Sequence, residues 1–432
     1  MTPYRELLDQ IMEGPVTGGM LDDDFYTLTM GQVIARHFPD VEVEYALTNR
    51  NQDAPLAHEL DVEELGRELD RLQGQHFTRS EIHYVQGTDE YGERMFAPDH
   101  IAHLRAVRRP SYHLSVMNNG HLDLRFAGLW GSDVHWEVPG LATIGGLRTR
   151  FALRKMSRFK REATLAEAIR RLHHKVLVLR ENPEAIFTDF GTRRRAAYPW
   201  QLYLDAVLGQ ELPGQYLGTS NVESAMINDQ LPMGTNAHQM VMVPAALCSD
   251  EPDPDAALLA VQQKVLDLWW ATYGKGLSII LPDTFGTQAC LRDLTLQQWR
   301  DWKGFREDSS RDPLEYGNEL IRNYEARGID PREKLYIASN GLDLDGVVAV
   351  GQHFHGRISA SSGWGTNLTN DWGLPTRSLV IKPLRARRIG GVWHPCVKIS
   401  DNRAKAIGPR EEIERYLRVF HYEGTYSHLQ QV

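Results

Sequence analysis

A chain of 432 residues, 42% hydrophobic and 24% charged, has material for a full core and for two domains, with the composition of an ordinary globular protein. No apolar run approaches the roughly 20 residues a membrane helix needs, and a net charge of −9 argues against broad nucleic-acid affinity. Cys248, Cys290 and Cys396 lie too far apart for a disulfide framework or a zinc spacing. The opening Met1-Thr-Pro-Tyr-Arg-Glu6 carries no apolar signal core, so a cytoplasmic location is expected.

Residues 1–140 read as one mixed α/β unit. Leu21-Asp-Asp-Asp-Phe-Tyr-Thr-Leu-Thr-Met30 leads into a helix running toward His37. The triplet Asp22–Asp24 has two readings, a cation site or a cap on that helix's N-terminus. Strands are expected at 41–48 and 122–126 and helices at 62–72 and 98–107, with a boundary near Pro139-Gly140. Between Arg148 and Arg180 stand eleven Lys/Arg against two Glu, partly on a helix from Thr164 to Lys175. This is either a solvated basic face or a wall for a polyanionic ligand.

From there strand and helix alternate, as a parallel α/β fold requires. Strands are expected at 185–190, 216–219, 277–281, 335–338, 357–360 and 379–382. Helices are expected at 196–208, 221–228, 253–273, 294–302, 313–327 and 344–355. The pattern predicts an irregular β/α barrel (TIM-like) over 141–385, beside the N-terminal mixed α/β domain. Residues 386–432 are expected to pack back on that first domain.

Polar and glycine-rich stretches fall at apparent strand ends, where such barrels bind ligands. Asp189-Phe-Gly-Thr-Arg-Arg-Arg195 puts guanidinium forks beside a tight turn, suited to phosphate or carboxylate. Gly363, Gly365 and Thr366 can bring amides and a hydroxyl close to a phosphate. Asp283 and Asp308 suit ribose hydroxyls, a Mg²⁺ shell or a helix cap. His238 reads as a base, a nucleophile or a structural group. His353, His355, His173 and His174 read as core or surface residues.

Taken together, Leu21-Asp-Asp-Asp-Phe-Tyr26, Asp189–Arg195, Gly218-Thr-Ser-Asn221, Pro232-Met-Gly-Thr-Asn-Ala-His238, Asp283-Thr284, Arg306-Glu-Asp-Ser309, Gly363-Trp-Gly-Thr366, Val380-Ile-Lys382 and Lys398-Ile-Ser-Asp401 resemble the nicotinate phosphoribosyltransferase family. The motifs run in order over nearly the whole chain. The resemblance implies an enzyme that condenses nicotinate with 5-phosphoribosyl-1-diphosphate (PRPP). Its products would be nicotinate mononucleotide and diphosphate, with ATP hydrolysis coupled and Mg²⁺ as cofactor. By resemblance, His238 would be phosphorylated by ATP. Arg306, Asp308 and Asp283 would hold ribose and diphosphate, while Gly363, Gly365 and Thr366 would cradle the 5-phosphate. Phe190 would stack on the pyridine ring, with Tyr26 of a neighbouring subunit on its other face, which implies a homodimer with sites at the interface. Arg193, Arg194 and Arg195 would meet the anionic substrates, with Thr219 and Ser220 beside the base. Relatives that use nicotinamide carry Asp at the position of Ser220, so Ser220 favours nicotinate.

Three departures from the family pattern stand out: Thr27 where lysine is common, Glu307 where histidine is frequent, and Ser310-Arg311 in place of one glycine. They keep two other readings open, a nicotinamide-preferring relative and a weakly catalytic PRPP or pyridine-nucleotide sensor. No nucleic-acid or membrane partner is expected.

Overall fold

The computed structural model describes residues 3–90, 92–401 and 406–422. Its strands are β1 (Val41–Asn49), β2 (Asp89–Glu90), β3 (Glu93–Arg94), β4 (Tyr112–Val116), β5 (Leu122–Leu129), β6 (Phe187–Asp189) and β7 (Tyr216–Thr219). They continue with β8 (Ile279–Ile280), β9 (Gly304–Glu307), β10 (Leu335–Ala338), β11 (Ser359–Trp364), β12 (Leu379–Arg388) and β13 (His394–Pro395). The pair β2–β3 is a separate two-stranded ribbon.

An antiparallel sheet in the order β13-β12-β1-β5-β4 organises the N-terminal domain. Val41, Val43 and Tyr45 of β1 alternate into its core. On the other face the cross-strand partners Glu42–Arg387 and Glu44–Arg385 are ion pairs, which fixes the register of β1 against β12. The expected boundary at residue 385 therefore falls inside a strand of this first sheet. Strand β12 was expected in the parallel unit; its alternation of apolar and arginine residues suits a half-buried antiparallel strand instead.

The boundary expected near 140 also moves. Pro139 and Gly140 lie within the buried helix Glu137–Arg154, whose Val138, Leu141, Ile144 and Leu147 are core residues. Nor does the C-terminal segment return as a whole to the N-terminal domain. β13 pairs with β12, but Val397, Ile399, Ile413, Leu417 and Phe420 pack with Leu258, Val261 and Phe285 of the second unit. Residues 402–405 and 423–432 of that expected segment lie outside the described residues.

The second unit is a parallel sheet in the order β7-β6-β11-β10-β9-β8 with helices between its strands. Helix Pro254–Tyr273 shows why the local sequence folds this way. Asp253 caps it by accepting from the Ala256 amide, Pro254 opens it, and Gly274 at φ 53° ends it. Among the described residues no ladder joins β7 to β8, so closure of this sheet into a barrel is not seen. At the β7 edge, bridges Thr219–Pro232 and Asp24–Asn221 bring in the segment before His238 and the start of helix Phe25–His37. No described helix is long and apolar enough to cross a membrane. The three cysteines are free and buried.

Candidate active site

The C-terminal ends of the parallel strands share one rim, and the turn after β6 anchors it. Asp189 is fully buried. Its Oδ1 accepts from the Gly191 amide at 2.7 Å, and its Oδ2 accepts from Gln201 Nε2 at 2.6 Å and from Thr219 Oγ1 at 3.0 Å. Phe190 donates its amide to the Trp364 carbonyl, and its ring lies against Gly363, where an added Cβ would sit 2.3 Å from the ring. Glycine at 363 is what seats Phe190.

The three consecutive arginines part company. Arg195 turns into the core, where its two Nη atoms meet Asp22 at 2.5 Å each and Gln201 Oε1 at 3.0 Å. It holds the fold and does not reach the cavity. Arg193 lies over the Tyr26 ring at 6.0 Å, 3.3 Å from Glu137 and 3.8 Å from Asp24. Lys382 completes this group, 2.9 Å from Glu137. Burial works against the Glu137 charge, but Lys382 and Arg193 hold its carboxyl below the ordinary value. Arg194 is pulled down to about 10 by burial and by the like charges of Arg193 and Arg50.

Arg193, Arg194 and Lys382 line a cavity of about 350 Å³. One group on its wall is Tyr26, Phe190, Arg193, Asp24 and Ser220; another is Arg50, Arg194, Ser339–Leu342, Gly363, Gly365, Thr366 and Asn367. The first offers aromatic faces and the second donors and cations. Tyr26, expected from a neighbouring subunit, reaches the cavity of its own chain because helix Phe25–His37 begins beside Ser220, whose carbonyl accepts from the Phe25 amide. A second, mostly apolar cavity of about 620 Å³ shares Phe190, Met233, Gly234 and Arg306 with the first.

His238 sits at the cavity wall among charged groups. Its Nε2 lies 2.9 Å from Lys398 Nζ, 3.2 Å from Asp308 Oδ2 and 3.9 Å from Asp283 Oδ2, while Nδ1 lies 3.1 Å from Thr284 Oγ1. Burial and Lys398 lower its affinity for protons, so the ring is neutral. Neutral Nε2 cannot donate to Asp308 and accept from Lys398 at once. With the lysine as partner, Nδ1 carries the proton toward Thr284 and Nε2 presents a lone pair. With Asp308 as partner, Nε2 carries it. Asp308 resists burial through Arg306 and Lys398 and, when Nε2 carries the ring proton, through a hydrogen bond from His238, and stays well below the usual carboxylate range. Asp283 is buried behind the cavity, with Oδ2 accepting from Lys398 at 3.1 Å. Arg306 lines both cavities, and its buried Nε has no hydrogen-bond partner among the described residues.

The altered loop after β9 folds away from the cavity. Glu307 accepts from the amide and hydroxyl of Ser309 at 2.6 Å each, and burial pushes its carboxyl up to about 8. Arg311 pairs with Glu319 and lies over the Tyr316 ring, on helix Pro313–Glu325. The extra residue is thus absorbed against that helix while Asp308 still faces His238.

Of the residues expected in a site, Tyr26, Phe190, Arg193, Arg194, Ser220, His238, Arg306, Asp308, Gly363, Gly365 and Thr366 line one cavity, with Asp283 behind it. Arg195 does not, and neither does Thr219, whose buried hydroxyl is bonded to Asp189. The acidic triplet splits three ways: Asp22 to Arg195, Asp23 to Thr27, Asp24 to Ser220. Among the described residues it belongs to no group of three or more ligands that could hold a metal ion. Sequence reasoning missed Arg50, which follows β1 without any motif. It also missed Ser339-Asn-Gly341, which the strand-end rule would have found. Lys382 and Lys398 stood in noted motifs without a role.

Both parts of the chain match a known family. Residues 21–145 match the nicotinate phosphoribosyltransferase (NAPRTase) N-terminal domain, and residues 186–424 match the nicotinate phosphoribosyltransferase (NAPRTase) family. The fold superposes on nicotinate phosphoribosyltransferase of Porphyromonas gingivalis with TM-score 0.82 at 27% identity, over 93% of this chain and 99% of that one. The Vibrio cholerae enzyme of the same name gives 0.82 at 25% over 96% of each. A putative nicotinate phosphoribosyltransferase of Saccharomyces cerevisiae shares the fold, at 0.78 and 24% over 95% of this chain and 100% of that one. The chain belongs to the nicotinate phosphoribosyltransferase family.

Proposed function

We propose that this chain joins nicotinate to PRPP, giving nicotinate mononucleotide and diphosphate, with ATP hydrolysis coupled through a phosphohistidine at His238. The observation that carries the reading is one cavity that combines aromatic faces (Tyr26, Phe190) with under-compensated cations (Arg50, Arg194, Arg306) and a neutral histidine. Departure of diphosphate leaves an oxocarbenium-like ribose, so the protein's task is to clamp the anion and aim the ring nitrogen. Arg50, Arg194 and Arg306 would take the phosphates, and Tyr26 and Phe190 would hold the ring. The Nε2 lone pair of His238, present when Nδ1 carries the ring proton, would accept the γ-phosphoryl group of ATP once Lys398 gives up its hydrogen bond to it, with ADP leaving, and the new charge would face Lys398 and Arg306.

Among the described residues no cluster of three or more His, Cys, Asp or Glu could hold a metal ion by itself. Asp283 Oδ1 is nevertheless buried without a hydrogen-bond partner among those residues. Two carboxylates, with the remaining positions left to diphosphate and water, form a donor set that suits Mg²⁺. Asp283 and Asp308 would hold it, and bound there it would neutralise the leaving group. A homodimer remains part of the proposal, with Tyr26 supplied by its own chain; a fully active monomer in sedimentation would remove it.

The test is incubation of purified protein with PRPP, Mg²⁺ and nicotinate or nicotinamide, with and without ATP, measuring mononucleotide. ATP-stimulated product from nicotinate is expected, with the stimulation lost in His238→Ala. Product from nicotinamide alone would replace the substrate, and no product from either base would overturn the enzyme reading.

A further inference from the structure

Asp24 stands at the N-cap of helix Phe25–His37, yet its side chain makes no cap bond to that helix. An aspartate in that position ordinarily accepts from the helix's own free amides. Here the carboxylate is buried at the cavity wall, where Oδ1 accepts the Ser220 hydroxyl proton at 2.6 Å and Oδ2 lies 3.8 Å from Arg193 Nε. Ser220 has one proton, and Asp24 holds it. What the hydroxyl turns to the cavity is its lone pairs, the opposite of the donor role its sequence position suggests. The nearby Arg193 is also shared with Glu137. An anionic carboxylate on a pyridine ring would therefore meet a second carboxylate, one hydroxyl away, beside a guanidinium that is already partly neutralised.

Two carboxylates sharing such a site cannot both stay ionised. We propose that Asp24 is a specificity-determining residue: the subsite takes up one proton, held by Asp24, when it binds a pyridine carboxylate, and takes up none when it binds the neutral amide. This deepens the pyridine-base reading above and rests on it. The amide needs no proton because its NH₂ can donate to the Ser220 oxygen or to the Asp24 carboxylate. The charged and titratable groups around Asp24 are Arg193 from the turn after β6, Asp189 on β6, Glu137 at the start of its helix, and Asp23 and Tyr26 on its own segment. Burial, opposed by Arg193 and Ser220 and helped by Asp23, already raises the free Asp24 carboxyl to about 6. At pH 7.5 it is mostly ionised before the ligand arrives, so the uptake is measurable.

The test is calorimetric titration of the protein with nicotinate mononucleotide and with nicotinamide mononucleotide at pH 7.5, in buffers of different ionisation enthalpy. The two ligands share the 5-phosphate, so its own titration cancels. The nicotinate form is expected to take up about one proton more per site, because a site that changes from ionised to protonated binds one. Asp24→Asn should abolish that difference, and Ser220→Ala should keep it. A second measurement needs no variant: above pH 7 the ratio of the two dissociation constants should shift about tenfold per pH unit toward the amide form. Equal uptake for the two ligands, or a ratio flat with pH, overturns the role of Asp24 and leaves the function standing. Failure of both mononucleotides to bind overturns the function, and the inference with it.

Discussion

Helix Arg158–Arg180 and the turn Thr192–Arg195 are both dense in arginine, and their charges meet different fates. On the helix, Arg158 pairs with Glu162, Arg170 and Arg171 with Glu167, and Arg171 and Lys175 with Asp371. Most of these side chains are exposed, and none lines the cavity beside Phe190. Around the turn the guanidinium groups are partly drawn out of water, and the carboxylates are shared unevenly: Asp22 pairs with Arg195, and Asp24 and Glu137 flank Arg193, while Arg194 has no ion pair among the described residues. Arg194 has the like charges of Arg193 and Arg50 as its neighbours, opposed by Asp308. The difference is not in charge count, which is higher on the helix. It lies in burial without full compensation, which leaves a cation able to gain from an arriving anion.

The comparison breaks most sharply at Arg195, the arginine of the turn that is fully buried and pairs through both Nη atoms with Asp22. Removing one member of a buried, hydrogen-bonded pair leaves the other charged and unpaired, at a cost of about 3–5 kcal/mol. Arg195→Met should lower unfolding stability by that amount in a urea titration, because Asp22 would then keep only neutral donors such as Asn221. A loss under about 1 kcal/mol would mean that Arg195 behaves like a surface pair.

Arg306 and Arg194 should do the reverse. Neither has a full complement of partners, so their loss should leave unfolding little changed and fall on catalysis. Arg306→Ala removes a positioned donor, and kcat/KM for PRPP should drop about 10²–10³-fold. Arg194→Ala removes one charge-assisted contact and should cost about tenfold, near 1.5 kcal/mol. Steady-state kinetics beside urea unfolding would check both. Large destabilisation with unchanged kinetics would place these two with Arg195.

Much of the parallel unit was legible because its strands and helices alternate and its turns carry glycine. Strands 216–219 and 335–338 and the helix from Pro254 lie where the pattern puts them. Strand β9 was missed for a physical reason: Arg306 and Glu307 make it too polar to read as a strand, the first because it lines the cavity and the second because it holds the Ser309 turn. Helix Glu137–Arg154 was missed because Pro139 and Gly140 imitate a linker. The opening proline is tolerated in the first turn of a helix, where the amide has no intrahelical partner to lose. At the site, motifs located the rim but not the direction of each side chain. Nothing in Arg193-Arg194-Arg195 says which one points inward; that follows from Asp22, distant in sequence. Likewise Ser220 reads as a donor until Asp24 is seen to hold its proton.

The smallest effect is expected on the basic helix, and it is the one that keeps the two regions apart. Arg170 is exposed and shares Glu167 with Arg171, so in Arg170→Ala the glutamate keeps a partner and no charge is left buried. Exposed ion pairs of this kind are screened by solvent and hold little net energy. Its urea midpoint and its PRPP kinetics should therefore match wild type at low and at physiological salt. A rise in KM for PRPP that grows as salt is lowered would show the helix steering the polyanion toward the rim from outside. The two regions would then differ in the stage at which they act, encounter against clamping, rather than in whether they act on the ligand at all.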